Sequence, residues 1–523
     1  MNRDQDKITG VLAKHPFAVT LLLVLVILAG TGMQIDNNKV VFAIMLCGYV
    51  LIIGYGIYLR MSKKLTDKAL IVLLFAMGFV LRAGYVLFSS IMVRQNDVGT
   101  FAEGVYNEWH SGYILYVRDN LTIADSDVRG MGQFYHPPFH YFVSAVFLKC
   151  YEIFLPKNTH NYEALQALSL LWSQFALIVL YKTVKLFGIK EENHVTAAGI
   201  IAAFPTFTLL SGSINNDILS ILLYFTAFYF GLKWYKERTW KNIILSAVAT
   251  GFGMMTKLSI GMIAFPLGFL FVVKLIRDLT DKSNKKAGLK TFANLCVFGV
   301  ISVPLGLWYQ IRNYLKFGVP ITYVLRSDNI YQDVSRFSVT QRLFGFYGFP
   351  IEDYFINLGS DGEQDYNIFI TTVKTALFGE ENYRDDALMS LTGYFLLIAF
   401  LILIGVALIG LILTVVKLGK SDARWEKLSA IVLAVTMTAS IITFSFKYPH
   451  ICSMNFRYST PLILSGTLFV CKTGEIKLKG ANGEIVQKLI KGCSLAFFIL
   501  SVVFYSVLWT YVKGEIAVVE PVW

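Results

Sequence analysis

Apolar residues fill one run of about twenty positions after another along nearly the whole chain, and short polar segments separate the runs. Twenty helical residues reach about 30 Å, the thickness of a hydrocarbon core. Runs of that length predict helices rather than the alternating ten-residue strands of a barrel. The predicted spans are 17–35, 40–59, 69–93, 164–187, 194–212, 217–233, 241–256, 258–276, 291–311, 387–416, 428–446, 458–471 and 492–512. The expected fold class is therefore all-α, a polytopic membrane protein with about 13 transmembrane helices. The first run follows a short basic segment without a small-residue cleavage site, so it is expected to be a retained helix.

One stretch breaks the pattern. Between 138 and 155 the apolar positions Phe139, Phe142, Val143, Val146, Phe147, Cys150, Ile153 and Phe154 recur at helical spacing on one stripe, with His140, Ser144, Lys149 and Glu152 elsewhere. Charge decides how to place it. Counted as a span, it would put YKTVKLFGIK (181–190), KWYKERTWK (233–241), KLIRDLTDKSNKK (274–286), KLGKSDARWEK (417–427) and CKTGEIKLKG (471–480) outside the membrane, against the positive-inside rule. Laid on the outer surface as a juxtamembrane amphipathic helix, it puts all five clusters in the cytoplasm together with RMSKKLTDK (60–68). Pro137 and Pro138 suit its first turn, where no intrahelical donor is lost. This arrangement predicts a multi-pass protein of the cell (plasma) membrane with a cytoplasmic N-terminus and a working surface facing outside. Two long external segments follow, at 94–163 and 312–386.

Composition agrees with that reading. The 523 residues are 55% hydrophobic and 16% charged, with mean hydropathy +0.57. The net charge of +12 is dispersed between spans, which fits orientation in the bilayer and gives no reason to invoke nucleic acid. The six cysteines lack CxxC spacing and read as packing residues. No convincing metal-ligand cluster, GxGxxG or P-loop is present, so no cofactor is expected and activated groups must arrive through the membrane.

The polar residues at span ends carry the candidate chemistry. In RQNDVGTFAEG (94–104), Asp97 directly follows the third span, a place that suits a base acting on a membrane-bound substrate. Glu103 lies six residues on, about 240° around a helix, so the two acids need not act as a pair. Ordinary solvated loop acids are the alternative. His136 opens the surface helix in QFYHPPFHYF, where a helix N-terminus favours an anion, with Tyr135 and His140 flanking it as hydrogen-bond donors. A structural turn is the alternative there. Asn215, Asn216 and Asp217 in SINNDIL, Lys257 in MMTKLS and Arg457 in CSMNFRYSTP sit at outer ends of spans and together would ring a cavity, unless the two cations only snorkel to the interface. Arg82, inside the third span, is assigned no chemistry.

Taken together, these motifs resemble the GT-C superfamily of membrane glycosyltransferases, especially the protein O-mannosyltransferases and the bacterial aminoarabinose-type polyprenyl-phosphate-sugar transferases. The resemblance spans most of the chain, as residues 61–523, and leaves 1–60 as an N-terminal two-helix transmembrane extension. NDVGTFAEG is similar to the acidic motif that opens the family's first large external loop, which implies Asp97 as the catalytic base and Glu103, or Asp217, as a second acid. His136-Pro137-Pro138 is similar to the His-Pro-Pro or Lys-Pro-Pro that opens the family's juxtamembrane helix, whose basic residue lies near the donor phosphate. Val98 stands where many members carry a second acid, and Thr100 where the aminoarabinose transferases carry a phosphate-contacting arginine. His136, Lys257 and Arg457 are then the expected phosphate-binding groups, with Tyr135, His140 and Asn216 as substrate contacts and no metal.

What the resemblance implies is an inverting glycosyltransferase. It would move a monosaccharide from a polyprenyl-phosphate-linked donor, held among membrane lipids, to an extracytoplasmic acceptor: a lipid, surface polymer or protein. A lipid-linked oligosaccharide ligase or polymerase is the nearest alternative, with a pyrophosphate donor. A transporter or flippase is the alternative from another class; it would make no glycosidic bond.

Overall fold

The structure is a computed structural model, and it describes residues 7–92, 99–157, 159–283, 285–326, 329–346, 355–356, 365–380, 387–420, 423–475 and 482–511. Helices dominate it. Among the described residues there is no strand, only an isolated antiparallel bridge between Asp333 and His450.

The chain opens with α1 (Lys7–Lys14) and α2 (Pro16–Thr31), which meet at a 94° bend. Pro16 sits in the first turn of α2, where its missing amide hydrogen is not needed. α3 (Asn38–Met61) starts where the Asn37 side chain accepts from the amides of Lys39 and Val40, and α4 (Asp67–Phe88) where Thr66 accepts from Ala69. Next come α5 (Trp109–Asn120) and α6 (Phe139–Glu152), packed on each other, and α7 (Gln166–Leu186).

The middle of the chain forms α8 (His194–Ile201), α9 (Pro205–Gly212), α10 (Asp217–Glu237), α11 (Trp240–Met254), α12 (Ala264–Thr280) and α13 (Lys285–Phe317). α10 packs against both α7 and α11, and α11 against α13. The last third supplies α14 (Val339–Phe344), α15 (Ile368–Phe378), α16 (Ala387–Val416), α17 (Arg424–Lys447), α18 (Leu462–Thr473) and α19 (Asn482–Tyr511). α18 packs against both α16 and α17.

Among the described residues, nine helices are long and apolar enough to cross a membrane, or up to eleven if each of two bent pairs counts as one span. The expected 13 counts two further runs, 241–256 and 458–471. The two runs that fall short are helical but too short: α11 has 15 residues and α18 has 12. At 1.5 Å per residue they reach about 22 and 18 Å, less than a hydrocarbon core.

Burial separates lipid-facing helices from central ones. Only 17% of the apolar window of α3 is buried, and its Val40, Ile44, Val50 and Leu51 are exposed, whereas 78% of the window ending in α7 is buried. An apolar surface of that kind is stable only against lipid. α6 follows the same logic. His140, Tyr141, Ser144 and Leu148 turn into the protein while Phe142 and Val146 stay exposed, so the apolar stripe points outward.

The second bent pair, at α8 and α9, shows how a break inside the bundle is satisfied. Pro205 opens α9, and the Ala202 carbonyl accepts from Arg82 Nη1 at 2.8 Å. Arg82 also donates to Gln174. Gly78 allows this approach, since a Cβ there would lie 1.9 Å from the Ala202 oxygen. Arg82 is thus fully buried as a backbone fastener.

The described residues of the segment at 312–386 include helices. α13 runs on to Phe317, and α15 is an apolar helix of 11 residues, too short to have stood out as a span. A buried ion pair, Lys374 Nζ to Asp365 Oδ1 at 2.6 Å, fixes its start. Phe369, Thr372, Val373 and Ala376 of α15 close one end of an apolar groove of about 470 Å³. α16 contributes Leu403 and Ala407, α17 Ala434 and Thr438, and α18 Ile463, Gly466 and Val470.

Candidate functional site

The turn between α9 and α10 is pinned from three sides. Ser169 donates to the Ser213 carbonyl, His140 Nε2 donates to the Ile214 carbonyl at 2.6 Å, and Asn216 Nδ2 donates to the Thr256 carbonyl at 3.1 Å. Asn215 Oδ1 accepts from the Asp217 amide at 3.0 Å, which starts α10 with Asp217 in its first turn. The neighbouring turn after α11 is held by Phe139, whose amide donates to the Met255 carbonyl at 3.0 Å. The start of α6 therefore fastens directly to the segment that carries Lys257.

These turns bring together residues far apart in sequence. Lys257 Nζ donates to Asp217 Oδ1. Arg457 Nη1 lies 3.7 Å from Asp217 Oδ2. Arg457 sits in a 3-10 turn, Phe456–Ser459, where Asn455 Oδ1 accepts its amide at 2.9 Å. The ring of Tyr458 completes the group: Lys257 Nζ is 4.8 Å and the Arg457 guanidinium 5.0 Å from its centroid, and Arg457 Nη2 donates to its hydroxyl at 3.0 Å. Asp217 and Arg457 side chains are 5% and 4% exposed, so this is an interior cluster, not a pair of snorkelling cations.

The cluster surrounds a cavity of about 30 Å³ whose walls include Asp217, Ser220, Tyr224, Lys257, Arg457 and Tyr458. That is room for about two water molecules. Tyr224 lies seven residues after Asp217, on the same face of α10 two turns along, and its buried hydroxyl has no hydrogen-bond partner among the described residues. The apolar groove adjoins directly. Phe456 lines the groove, and the next residue, Arg457, lines the cavity.

His136 approaches from the side of α6. Tyr135 lies 4.2 Å from it, centroid to centroid, and His110 of α5 stacks on it at 5.8 Å. His110 Nδ1 is in turn 2.8 Å from the Tyr141 hydroxyl. The imidazole of His136 is lowered to a pKa of about 3 by burial first and then by Lys257, and His140 to about 4 by burial. Both are neutral rings near pH 7. His136 is therefore a neutral ring, and Lys257 and Arg457 are the cations of the cluster.

Glu103 stands elsewhere. Arg118 Nη2 reaches it at 2.6 Å, and Tyr162 donates to it as well. Arg118 also reaches Asp119 at 2.7 Å and Glu152 at 3.4 Å, and His160 lies 2.8 Å from Glu152. The hydrogen bond from Arg118 is the first cause that holds the Glu103 carboxyl below its ordinary range. Asp97 lies outside the described residues. Gly99 and Thr100, which follow it, lie against α5, where Ser111 Oγ donates to the Thr100 carbonyl at 2.8 Å.

Of the residues singled out from sequence, Asp217, Asn216, Lys257, Arg457, Tyr135, His136 and His140 thus gather around the two turns, and Glu103 belongs to a separate cluster. His110, Tyr224 and Tyr458 were missed. Tyr458 stood next to Arg457 and Tyr224 at helical spacing from Asp217, both legible signals. Nothing in EWHSGY marked His110.

Residues 135–308 match the family described as dolichyl-phosphate-mannose-protein mannosyltransferase, about a third of the chain. The matched segment begins at the Tyr135-His136 pair and contains Asp217 and Lys257. The chain resembles the GT-C membrane glycosyltransferases. Among solved structures, ArnT from Cupriavidus metallidurans bound to undecaprenyl phosphate is similar at a TM-score of 0.44 and 13% identity, over 84% of this chain and 76% of that one. The Archaeoglobus fulgidus oligosaccharyltransferase, tethered with an acceptor peptide containing the NVT sequon, gives a TM-score of 0.45 at 12% identity, over 83% of this chain and 55% of that one. No curated protein matches the chain.

Proposed function

We propose that this protein is an inverting glycosyltransferase that moves a monosaccharide from a polyprenyl-phosphate-linked donor to an extracytoplasmic acceptor. The observation that carries this reading is the pairing of Lys257 and Arg457 on Asp217, inside and beside the family-matched segment, at the head of an apolar groove of about 470 Å³. A groove of that size and character suits a lipid tail. The departing group in such a transfer is a lipid phosphate, already a stabilised anion. It needs nearby positive charge more than a general acid, unlike the alkoxide that leaves in glycoside hydrolysis. Lys257 and Arg457 supply that charge, and His136 supplies a neutral donor.

In this mechanism the acceptor hydroxyl attacks the anomeric carbon as the bond to the phosphate oxygen breaks, and Asp97 takes the hydroxyl proton. Attack from the opposite face inverts the centre. The residues Tyr135, His140 and Asn216 hold the walls around the sugar. The positive clusters between spans support a cytoplasmic N-terminus and an outward-facing site.

The test is transfer by the purified, reconstituted protein from a panel of radiolabelled polyprenyl-phosphate sugars to lipid and peptide acceptors. Asp97→Asn is expected to lose at least about 10²-fold in rate. Equal turnover by both proteins would remove Asp97 from the role of base, and transfer only from pyrophosphate-linked glycans would favour an oligosaccharide ligase. For orientation, an impermeant thiol reagent added outside is expected to label a cysteine at Asp125 and not one at Lys190.

A further inference from the structure

The small cavity beside the cluster has two kinds of wall. Ile221, Ile260 and Met437 form an apolar side, and Asp217, Tyr224 and Lys257 a polar one. The polar side is incomplete. Tyr224 is 1% exposed, and its hydroxyl has no hydrogen-bond partner among the described residues. A buried hydroxyl left without a partner is costly, and folded proteins supply one from water or a ligand. Long side chains on a helix lean towards its N-terminus, so Tyr224 reaches back over Ser220 towards Asp217, which lines the same cavity. Asp217 can still accept there. A carboxylate has about four lone-pair positions; Lys257 takes one, and Arg457 Nη1, at 3.7 Å, lies beyond hydrogen-bond reach.

A space with a donor, an acceptor and an apolar side selects the chemistry of its occupant. A phosphate oxygen only accepts from its surroundings and would face the Asp217 carboxylate. A hydroxyl donates and accepts, so it satisfies Asp217 and Tyr224 together. Size narrows the choice further. About 30 Å³ is room for about two heavy atoms. A hydroxyl fixed directly to a sugar ring would bring in its oxygen alone, whereas a hydroxymethyl group brings a carbon for the apolar side and an oxygen for the polar one.

We propose that this cavity is a sugar subsite for the exocyclic hydroxymethyl group of a hexose, and that Tyr224 is a specificity-determining residue of the transfer. The Tyr224 hydroxyl donates to the primary hydroxyl of the sugar, which donates in turn to Asp217. The inference rests on the polyprenyl-phosphate-linked donor proposed above and names its class of sugar. The position agrees with that donor. Asn216, assigned above to the wall around the sugar, directly precedes Asp217. In a hexose ring the carbon that bears the hydroxymethyl group is joined through the ring oxygen to the anomeric carbon, which carries the phosphate. Cations for the phosphate and a cavity for the hydroxymethyl group therefore belong side by side. Asp97 does not compete for the cavity, because it serves the acceptor hydroxyl on the face of the anomeric carbon opposite the phosphate.

The experiment measures binding of decaprenyl-phosphate-linked sugars to the full-length protein in nanodiscs, with sugar-free decaprenyl phosphate as the reference. Glucose, mannose and galactose are each compared with the pentose of the same configuration that lacks the hydroxymethyl group, and with the 6-deoxy form that lacks only its oxygen. At least one hexose is expected to bind about 10²-fold more tightly than both of its counterparts, because a site built to hydrogen-bond a hydroxyl is left with unpaired buried groups when the hydroxyl is missing. Tyr224→Phe removes a hydroxyl that makes no bond within the protein, so the fold is kept. It is expected to cut the preference for the hexose about tenfold, a ratio that a merely structural role would not move. Counterparts that bind as tightly as the hexose in all three sets overturn the proposal without any variant. A preference that Tyr224→Phe leaves unchanged also overturns it and leaves the cavity to water. In both cases binding of sugar-free decaprenyl phosphate keeps the donor reading intact. Failure of the natural protein to bind any of these lipids, the sugar-free phosphate included, refutes that reading and the subsite with it.

Discussion

Two clusters of acids and bases in this protein are built from similar parts and differ in what they leave unfinished. Around Arg118, one guanidinium is shared among Glu103, Asp119 and Glu152, and Tyr162 and His160 close the remaining gaps. Its acids are partly open to solvent, and it ties the approach to α5, α6 and the start of the segment leading into α7. Around Asp217, one carboxylate is shared between two cations in the interior, beside a small cavity and an apolar groove. The ratio is reversed. An arginine surrounded by carboxylates is a clamp, because every charge it attracts is already part of the chain. A carboxylate that holds two cations beside a cavity and a groove is the reverse arrangement, with its cations at the wall of a space.

The difference can be broken most strongly from the cationic side. Arg457→Ala and Lys257→Ala are each expected to lower sugar transfer by about 10²- to 10³-fold while the protein remains folded, as judged by monodisperse elution and helical circular dichroism. A loss below about threefold in both would reduce the cluster to a structural ion pair. The groove comes next. Gly466→Phe projects a ring from α18 into open space and is expected to raise KM about tenfold for a long-chain donor and little for a ten-carbon one. Equal effects on both chain lengths would place the tail elsewhere.

The smallest effect belongs to the clamp. Glu103→Gln is expected to leave transfer within about threefold and to change stability by at most about 1 kcal/mol, because the Glu103 side chain is 52% exposed and solvent screens the pair. The sign with pH is fixed by its depressed carboxyl. The stabilisation is complete above the unfolded value near about 4.3 and disappears as pH falls through the lower folded one. Thermal unfolding of the natural protein and of the variant should therefore converge as the pH is lowered towards 3. A difference that grows on acidification would contradict the assignment.

Much of this was legible in the chain. Runs of about twenty apolar residues fixed the helical class, because length alone distinguishes a helix crossing from a strand. His-Pro-Pro marked the start of α6, because two prolines tolerate only the first turn of a helix. SINND, Thr-Lys and Arg457 were visible as polar residues at the ends of apolar runs, but not as partners, since 40 residues separate Asp217 from Lys257 and 200 separate Lys257 from Arg457. Tertiary packing decides such contacts. Glu103 entered as a possible second acid only through the resemblance, and nothing local disclosed that Arg118 claims it. Two of the expected spans, at α11 and α18, are helices of 15 and 12 residues, and hydropathy cannot tell where a helix unwinds into turns.

That early stop has a consequence for the bilayer. With only 12 residues, α18 leaves roughly 12 Å of a hydrocarbon core uncovered by helix. The winding stretch from Ile451 to Pro461 precedes it, its backbone held by groups such as the Thr375 hydroxyl, which accepts from the Phe456 amide at 2.9 Å. The 3-10 turn that carries Arg457 thus stands just before a helix that is too short to cross a bilayer by itself.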